Sequence, residues 1–365
     1  MRRGMWTAAA IGVLTGSLLT ARGGEGVTTQ VLAATETLPA TTVAAAGSAR
    51  VDQSATTTAA PATTAPATTV PAPATTVPAP VTTAPATTAP APATTAPVRW
   101  REGTHQIEVA TAEGTRRAMV VVPADSGRPR SMLVVLHGVG GRGAAMRDLG
   151  FEPLALPAGT VLVYPDGMQG AWNDGRPGMD SMWSTPPDDV AFLRSLIQLV
   201  TTEAGVDRRR VALAGFSNGA IMASRLACDG ADVVSAIALV GGAGGGDYNK
   251  RCQASRALPV LVVSGTGDVV VPYAGGKVAD FGGRRRGTVA SVAEVLAYWA
   301  ARSGCSGLAE APGPTSTVVE VSGQACLATP VRHLRMVGGG HEWHRSAGFD
   351  TTRVVWDFVR TSGLA

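Results

Sequence analysis

From about Arg99 onward, apolar runs of strand length alternate with segments of helical period. His105–Ala110 and Arg117–Val122, with a turn at Glu113-Gly114 between them, predict an antiparallel opening pair. Ser131–Leu136 is almost continuously apolar, as expected of a strand covered on both faces. Thr160–Tyr164 repeats that pattern and is closed by Pro165-Asp166-Gly167. Asp188-Asp189 then caps a helix whose apolar positions Val190, Leu193, Ile197 and Val200 keep a period near 3.6. Further strands are predicted at Val211–Ala214, Val233–Val240, Pro259–Val263 and Val331–Val337, and helices at Ala220–Leu226, Val289–Ala301 and Thr352–Val359. Strands alternating with helices imply βαβ units: an α/β fold with a mostly parallel sheet and helices on both faces. In such sheets ligands bind beyond the carboxyl ends of the strands.

The first 98 residues of the 365-residue chain depart from this pattern. Arg2-Arg3 followed by the short apolar stretch Trp6–Leu19 reads as an export signal, so residues 1–34 are assigned to a signal region. Arg22 stands where a lipoprotein box would need cysteine, which argues against lipid attachment. Residues 35–98 are nearly all Ala, Thr, Pro and Val, and cannot bury enough surface to offset the entropy of ordering. That segment is expected to be a disordered, semi-stiff linker. Residues 99–365 then form one catalytic domain of ordinary size.

A net charge of +4 is mild, and Arg208-Arg209-Arg210 and Arg284-Arg285-Arg286 read as solvated loop runs, so no nucleic-acid partner is expected. Cys228, Cys252, Cys305 and Cys326 include no C-x-x-C pair and no zinc spacing. In an exported chain an even count points to two disulfides, for which three pairings exist. The sequential one, Cys228–Cys252 with Cys305–Cys326, closes two modest loops and is preferred.

Chemistry is concentrated at a few strand ends. Gly215-Phe216-Ser217-Asn218-Gly219 lies between the apolar run Val211–Ala214 and a helical run, giving G-x-S-x-G in a strand–turn–helix setting. Such a turn exposes the serine hydroxyl and places the following amide, that of Asn218, at a developing oxyanion. Ser217 is therefore read as a nucleophile, which needs a base held by an acid. With five histidines the search is short: His341, in the glycine-rich loop after Val331–Val337, is taken as the base, with His344 as the alternative. An H-x-x-H metal pair there lacks further ligands, so no metal or cofactor is expected. Asp268 ends the buried run Pro259–Val263 through a turn and is taken as the acid; Asp247 and Asp280 compete from less regular surroundings. The order Ser, Asp, His is that of an α/β-hydrolase. Leu136-His137-Gly138-Val139 follows a buried strand, where Val139 would supply the second oxyanion amide; losing one such donor typically costs ~3 kcal/mol. His137 reads as structural.

Together with Tyr164-Pro165-Asp166-Gly167, Trp172-Asn173, Asp188–Leu193, Gly265–Tyr273 and Gly339–Trp343, these motifs resemble the polyhydroxybutyrate depolymerase / feruloyl esterase family over most of the chain after residue 104. The resemblance implies an α/β-hydrolase fold, a Ser217–His341–Asp268 triad, and Trp172 and Trp343 near the substrate cleft; Tyr273 is added to that lining. The cysteines fall where secreted members carry disulfides. Ala220 and Trp343-His344-Arg345 depart from the family pattern, the second at the pocket rim. The expectation is an extracellular, monomeric serine esterase, without stable membrane insertion after processing, hydrolysing short hydroxyalkanoate esters. The alternatives are a feruloyl or acetyl esterase on polysaccharide, or an acyltransferase of the cell envelope.

Overall fold

The computed structural model describes residues 100–179, 182–279 and 287–365, all within the unit Thr88–Ala365. The expected signal region, the linker, Asp280 and Arg284-Arg285-Arg286 lie outside those residues. The chain opens with the hairpin β1 (Gly103–Thr111) and β2 (Gly114–Val122), followed by β3 (Arg130–Leu136), the short α1 (Glu152–Ala155) and β4 (Thr160–Pro165). Helix α2 (Asp189–Glu203) leads to β5 (Val206–Phe216), α3 (Asn218–Asp229), β6 (Ala236–Val240), α4 (Tyr248–Arg251) and β7 (Val260–Gly265). The two-residue strands β8 (Gly276–Lys277) and β9 (Thr288–Val289) pair with each other before α5 (Val292–Arg302). Strands β10 (Gly307–Pro312), β11 (Val318–Gln324) and β12 (Val331–Met336) follow, then a small hairpin of β13 (Arg345–Ser346) and β14 (Phe349–Asp350), and α6 (Thr351–Ser362).

Ten of these strands form one sheet in the order β1-β2-β4-β3-β5-β6-β7-β12-β11-β10. The six from β4 to β12 run parallel, and antiparallel strands flank them on both sides. The period of two sorts the strand side chains between two cores. Met132, Val134 and Leu136 of β3 pack with α2, α3 and α5 through Phe192, Leu193, Met222, Leu226 and Trp299. Leu133 and Val135 pack on the opposite face with Phe151, which precedes α1, with Ala155 of α1, and with Val355, Trp356 and Val359 of α6. Helices thus cover both faces, as the continuous apolar strands require, and the architecture is the α/β-hydrolase fold. No helix among the described residues is long and apolar enough to cross a membrane.

Several boundaries differ from the expected ones. Arg208-Arg209-Arg210, expected in a loop, lies inside β5. There the strand runs ahead of its covered part and its register with β3 shifts between Arg130 and Met132, so these side chains reach the outside. Arg209 pairs with Asp207, and Arg210 donates to the carbonyls of Leu364 and Pro129. The expected strand from Val233 begins at Ala236, after a single 3₁₀ turn over Ala231–Val233. The helix expected from Val289 begins at Val292, capped by Ser291, whose Oγ accepts from the Glu294 amide. Both bonds of the sequential cysteine pairing are present, Cys228–Cys252 and Cys305–Cys326.

Candidate active site

Strand β5 ends at Phe216 and α3 begins at Asn218, so Ser217 alone makes the turn, at φ 56° and ψ −121°. A non-glycine residue in that region carries a strain of roughly 1–3 kcal/mol and persists only where its surroundings over-determine it. Here the Ser217 amide donates to Val240 O at 2.8 Å, and its carbonyl accepts from the Ala220 and Ile221 amides. The flanking glycines are a steric requirement. A Cβ on Gly215 would lie 2.2 Å from Gly219 O, and one on Gly219 would lie 2.5 Å from the carbonyl oxygens of Leu136 and His137. Close crossing of β3, β5 and α3 therefore sets both ends of the G-x-S-x-G pattern.

The Ser217 hydroxyl faces Nε2 of His341 at 2.9 Å, and Nδ1 of the same ring faces Oδ2 of Asp268 at 2.7 Å. Beside a carboxylate, Nδ1 is the nitrogen that carries the proton, which leaves Nε2 to accept from the serine. Asp268 is buried, and its second oxygen accepts from the amides of Val270 and Val271, both at 2.8 Å. Those bonds fix the carboxylate plane on the turn after β7. The His341 loop is tied to the same turn: Gly267 N donates to Gly339 O at 2.9 Å, and Gly338 N to Thr266 Oγ1 at 2.8 Å. The imidazole rests on the Phe216 ring, centroid to centroid 5.1 Å. Such a line of groups lets an imidazole take the serine proton while the carboxylate holds its tautomer and offsets the charge it gains.

The loop after β3 lies against the turn, where a Cβ on Gly138 would come within 3.2 Å of the Ser217 Cβ. His137 pins that loop from beneath. Its Nε2 accepts from the Gly167 amide at 2.9 Å, so its Nδ1 donates to Gly138 O at 2.7 Å. Burial holds its pKa below the ordinary histidine value, in keeping with a neutral ring. Gly140 N donates to Gly170 O at 2.7 Å and fixes the loop beyond Val139. Among the described residues no acceptor stands against the Val139 amide or the Asn218 amide, the latter being the first of α3, a position with no partner inside the helix.

Several residues that sequence reasoning missed lie under the Asn218 side chain. Its Oδ1 accepts from Trp172 N at 2.8 Å, and its Nδ2 donates to Trp172 O at 2.9 Å and to Asp174 Oδ2 at 2.6 Å. Asp174 pairs with Arg176 at 3.3 Å, and both side chains are buried. Burial pushes the Asp174 carboxyl upward, and the Arg176 charge pulls it back. A second buried pair, Arg116–Asp189 at 2.7 Å, holds the neighbouring Asn173 amide through the other carboxylate oxygen at 2.7 Å. The nearness of Asp174 to Trp172-Asn173 along the chain was the available signal, but nothing in a sequence marks an acidic residue as buried.

Trp172 is the clearest correction. Expected on the cleft wall, it is wholly buried, its Nε1 donating to His137 O at 2.9 Å, so it supports the loop and the helix start and cannot touch substrate. Trp343 is half-buried, edge-on to Phe216 and Phe151, with Nε1 on Thr352 Oγ1. It backs the ring on which His341 lies. Tyr273 stacks on His333, a histidine wholly buried in β12 whose Nε2 is 3.0 Å from Ser264 Oγ. His344, the alternative base, is buried and pairs with Glu342 at 3.2 Å. Asp247, the alternative acid, precedes α4 in a left-handed conformation.

No family model matches the chain. It is 31% identical over 261 residues to "Putative esterase NocK" of Nocardia uniformis subsp. tsuyamanensis, covering 64% of this chain and 75% of that protein. The chain belongs to that esterase family. Feruloyl esterase B of Piromyces equi is 30% identical over 223 residues, 58% of this chain but only 38% of the fungal protein, so the chain spans well under half of that relative's length. Among solved structures, acetyl xylan esterase from Aspergillus awamori overlays with a TM-score of 0.49 at 13% identity, over 66% of this chain and 94% of that one.

Proposed function

We propose that this esterase hydrolyses carboxylic esters through an acyl-enzyme on Ser217. The observation that carries the reading is the hydrogen-bonded line from Ser217 Oγ through His341 to Asp268, at 2.9 and 2.7 Å, in a serine held at positive φ. Ser217 Oγ attacks the ester carbonyl carbon as its proton passes to His341 Nε2. The Asn218 and Val139 amides receive the oxyanion. The carbon–alkoxide bond then breaks, Nε2 returns the proton to the departing alcohol, and the acyl group stays on Oγ. Water next gives a proton to Nε2 and attacks the acyl carbon, and the acid leaves as Oγ regains its proton. Asp268 holds the imidazole in the orientation that both steps need.

Feruloyl or acetyl esters of polysaccharide are the substrate class we favour over hydroxyalkanoate esters. The names of the relatives support this choice, feruloyl esterase B and a bifunctional acetylxylan esterase/xylanase of Neocallimastix patriciarum among them. Export to an oxidising compartment agrees with the N-terminal signal pattern and with both disulfides. The test is turnover of p-nitrophenyl acetate with labelling by a fluorophosphonate. Ser217→Ala is expected to lose more than about 10⁴ in kcat and to take no label. A label on another residue, or wild-type turnover by Ser217→Ala, overturns the reading.

A further inference from the structure

Beyond the Val139 amide the chain forms an open, polar cup of about 370 Å³ to which the hydrolysis itself assigns no role. Gly140, Gly141, Gly167 and Gly170 give it a floor of bare backbone, and Arg142, Asp166 and Gln169 stand around that floor. A Cβ on Gly140 would meet nothing within 4 Å, so the space above it is empty of protein. The cup is rigid: Gly140 N is bonded to Gly170 O, Gly141 N to Gly138 O, and Gly143 N to Asp166 Oδ1 at 2.6 Å. It is also close to the proposed chemistry. Gly138 lies against Ser217, and Gly140 is two residues on, no more than about 7.6 Å from Gly138 along a trans backbone.

Its three side chains share one property. Asp166 Oδ1 is engaged by Gly143, and among the described residues no donor stands on Oδ2. The Gln169 amide and the Arg142 guanidinium are exposed and take no partner among the described residues. Gln169 reaches the rim from a left-handed backbone, φ 55° and ψ 29°, a conformation a non-glycine residue seldom adopts without a constraint from its surroundings. Together they offer a carboxylate acceptor, an amide that both accepts and donates, and a pure donor.

We propose that this cup is the subsite for the alcohol half of the ester, and that its ligand is a sugar unit whose free hydroxyl groups pair with Asp166, Gln169 and Arg142. A hydroxyl both donates and accepts, so neighbouring sugar hydroxyls satisfy all three groups at once. The ester groups of a hydroxyalkanoate chain only accept. Such a chain brings Asp166 no donor, so only the sugar gains that contact. The cup thus separates the two substrate classes on the leaving-group side. This assignment rests on the proposed hydrolysis at Ser217.

The experiment compares two esters with the same acyl group, ethyl acetate and a mono-O-acetyl methyl xyloside, which differ in the hydroxyl groups of the alcohol. The readout is the ratio of kcat/KM for the xyloside to that for ethyl acetate, with p-nitrophenyl acetate as a separate check of the chemistry. Wild type is expected to favour the xyloside. Gln169→Ala and Arg142→Ala are each expected to lower the ratio at least about fivefold, through KM for the xyloside, as for a lost hydrogen bond to a sugar hydroxyl. Asp166→Asn, which keeps an oxygen for the Gly143 amide, should lower it further. A ratio within twofold of wild type in all three variants, or a wild type that prefers ethyl acetate, overturns the subsite while leaving the esterase reading intact. A wild type inert toward all three esters would instead overturn the hydrolysis on which the subsite rests.

Discussion

The two halves of the candidate site are held in different ways. Ser217 and Asn218 stand on buried polar structure: Asn218 makes three side-chain hydrogen bonds to Trp172 and Asp174, and Asp174 is paired with the buried Arg176. Asp268 and His341 belong to two surface turns laced together by Gly267–Gly339 and Thr266–Gly338 hydrogen bonds, beside the exposed Val269 and Val337. Each half also rests on a buried histidine, but unequally. His137 uses both ring nitrogens, whereas His333 Nδ1 has no partner among the described residues. The roles proposed for the two halves differ in the same way: a nucleophile in a strained conformation needs a frame that cannot yield, while an acid and a base need only be aimed. The first demand is met by desolvated bonds that are costly to break, the second by backbone bonds near water.

The sharpest separation should come from Asp268→Asn. The variant keeps an oxygen for the Val270 and Val271 amides but favours the wrong imidazole tautomer, so kcat should fall by about 10³-fold or more while stability barely moves. Steady-state kinetics alongside a thermal melt reads both. Asn218→Ala should do the reverse to stability. It strands the Trp172 backbone groups and Asp174 in the core and should cost about 2–4 kcal/mol in urea unfolding. Thr266→Ala, which removes one bond between the surface turns, should cost about 1 kcal/mol or less. Equal losses in these two variants would erase the contrast between the halves.

A smaller effect is expected from pH. Burial, assisted by the neighbouring Arg335 charge, lowers His333 from 6.5 to about 3, and burial also lowers His137. Both rings then bind protons more readily in the unfolded chain. Stability is therefore complete above about pH 6.5 and drains as pH falls toward 3. Thermal midpoints measured from pH 7 to 4 should decline, and His333→Gln should flatten the decline. An unchanged slope in that variant would assign the acid sensitivity elsewhere. Least of all should change on removing residues 1–98. We propose that the domain from Arg99 folds alone, so turnover of p-nitrophenyl acetate and the thermal midpoint should match those of the full chain; a clear drop in the midpoint would refute that boundary.

The parallel strands were legible because burial on both faces demands unbroken apolar runs, as in Ser131–Leu136 and Pro259–Val263. The alignment of Ser217, His341 and Asp268 was legible because each stands where a strand ends, the serine in a strand–turn–helix motif and the histidine among only five in the chain. Strand β10 was not. Gly307–Pro312 is exposed at all six positions and joins the sheet by pairing with β11, so it carries no burial pattern to read. The arginines of β5 failed for the opposite reason: their charge suggests a loop, yet the strand extends past its cover. Trp172 shows the remaining limit. Its place beside Asn173 was visible, but which way an indole turns depends on partners distant in the chain, here His137 and Asn218.

The contact between His341 and Phe216 has a mechanical meaning. Phe216 is peptide-bonded to Ser217, so the residue that carries the hydroxyl and the ring that supports the imidazole are neighbours on one stretch of backbone. Thermal drift of the end of β5 moves the Ser217 hydroxyl and the Phe216 platform in the same direction. An imidazole that follows the ring shares that motion, and the shared part cancels in the separation between Oγ and Nε2, the distance a proton transfer between them would sense.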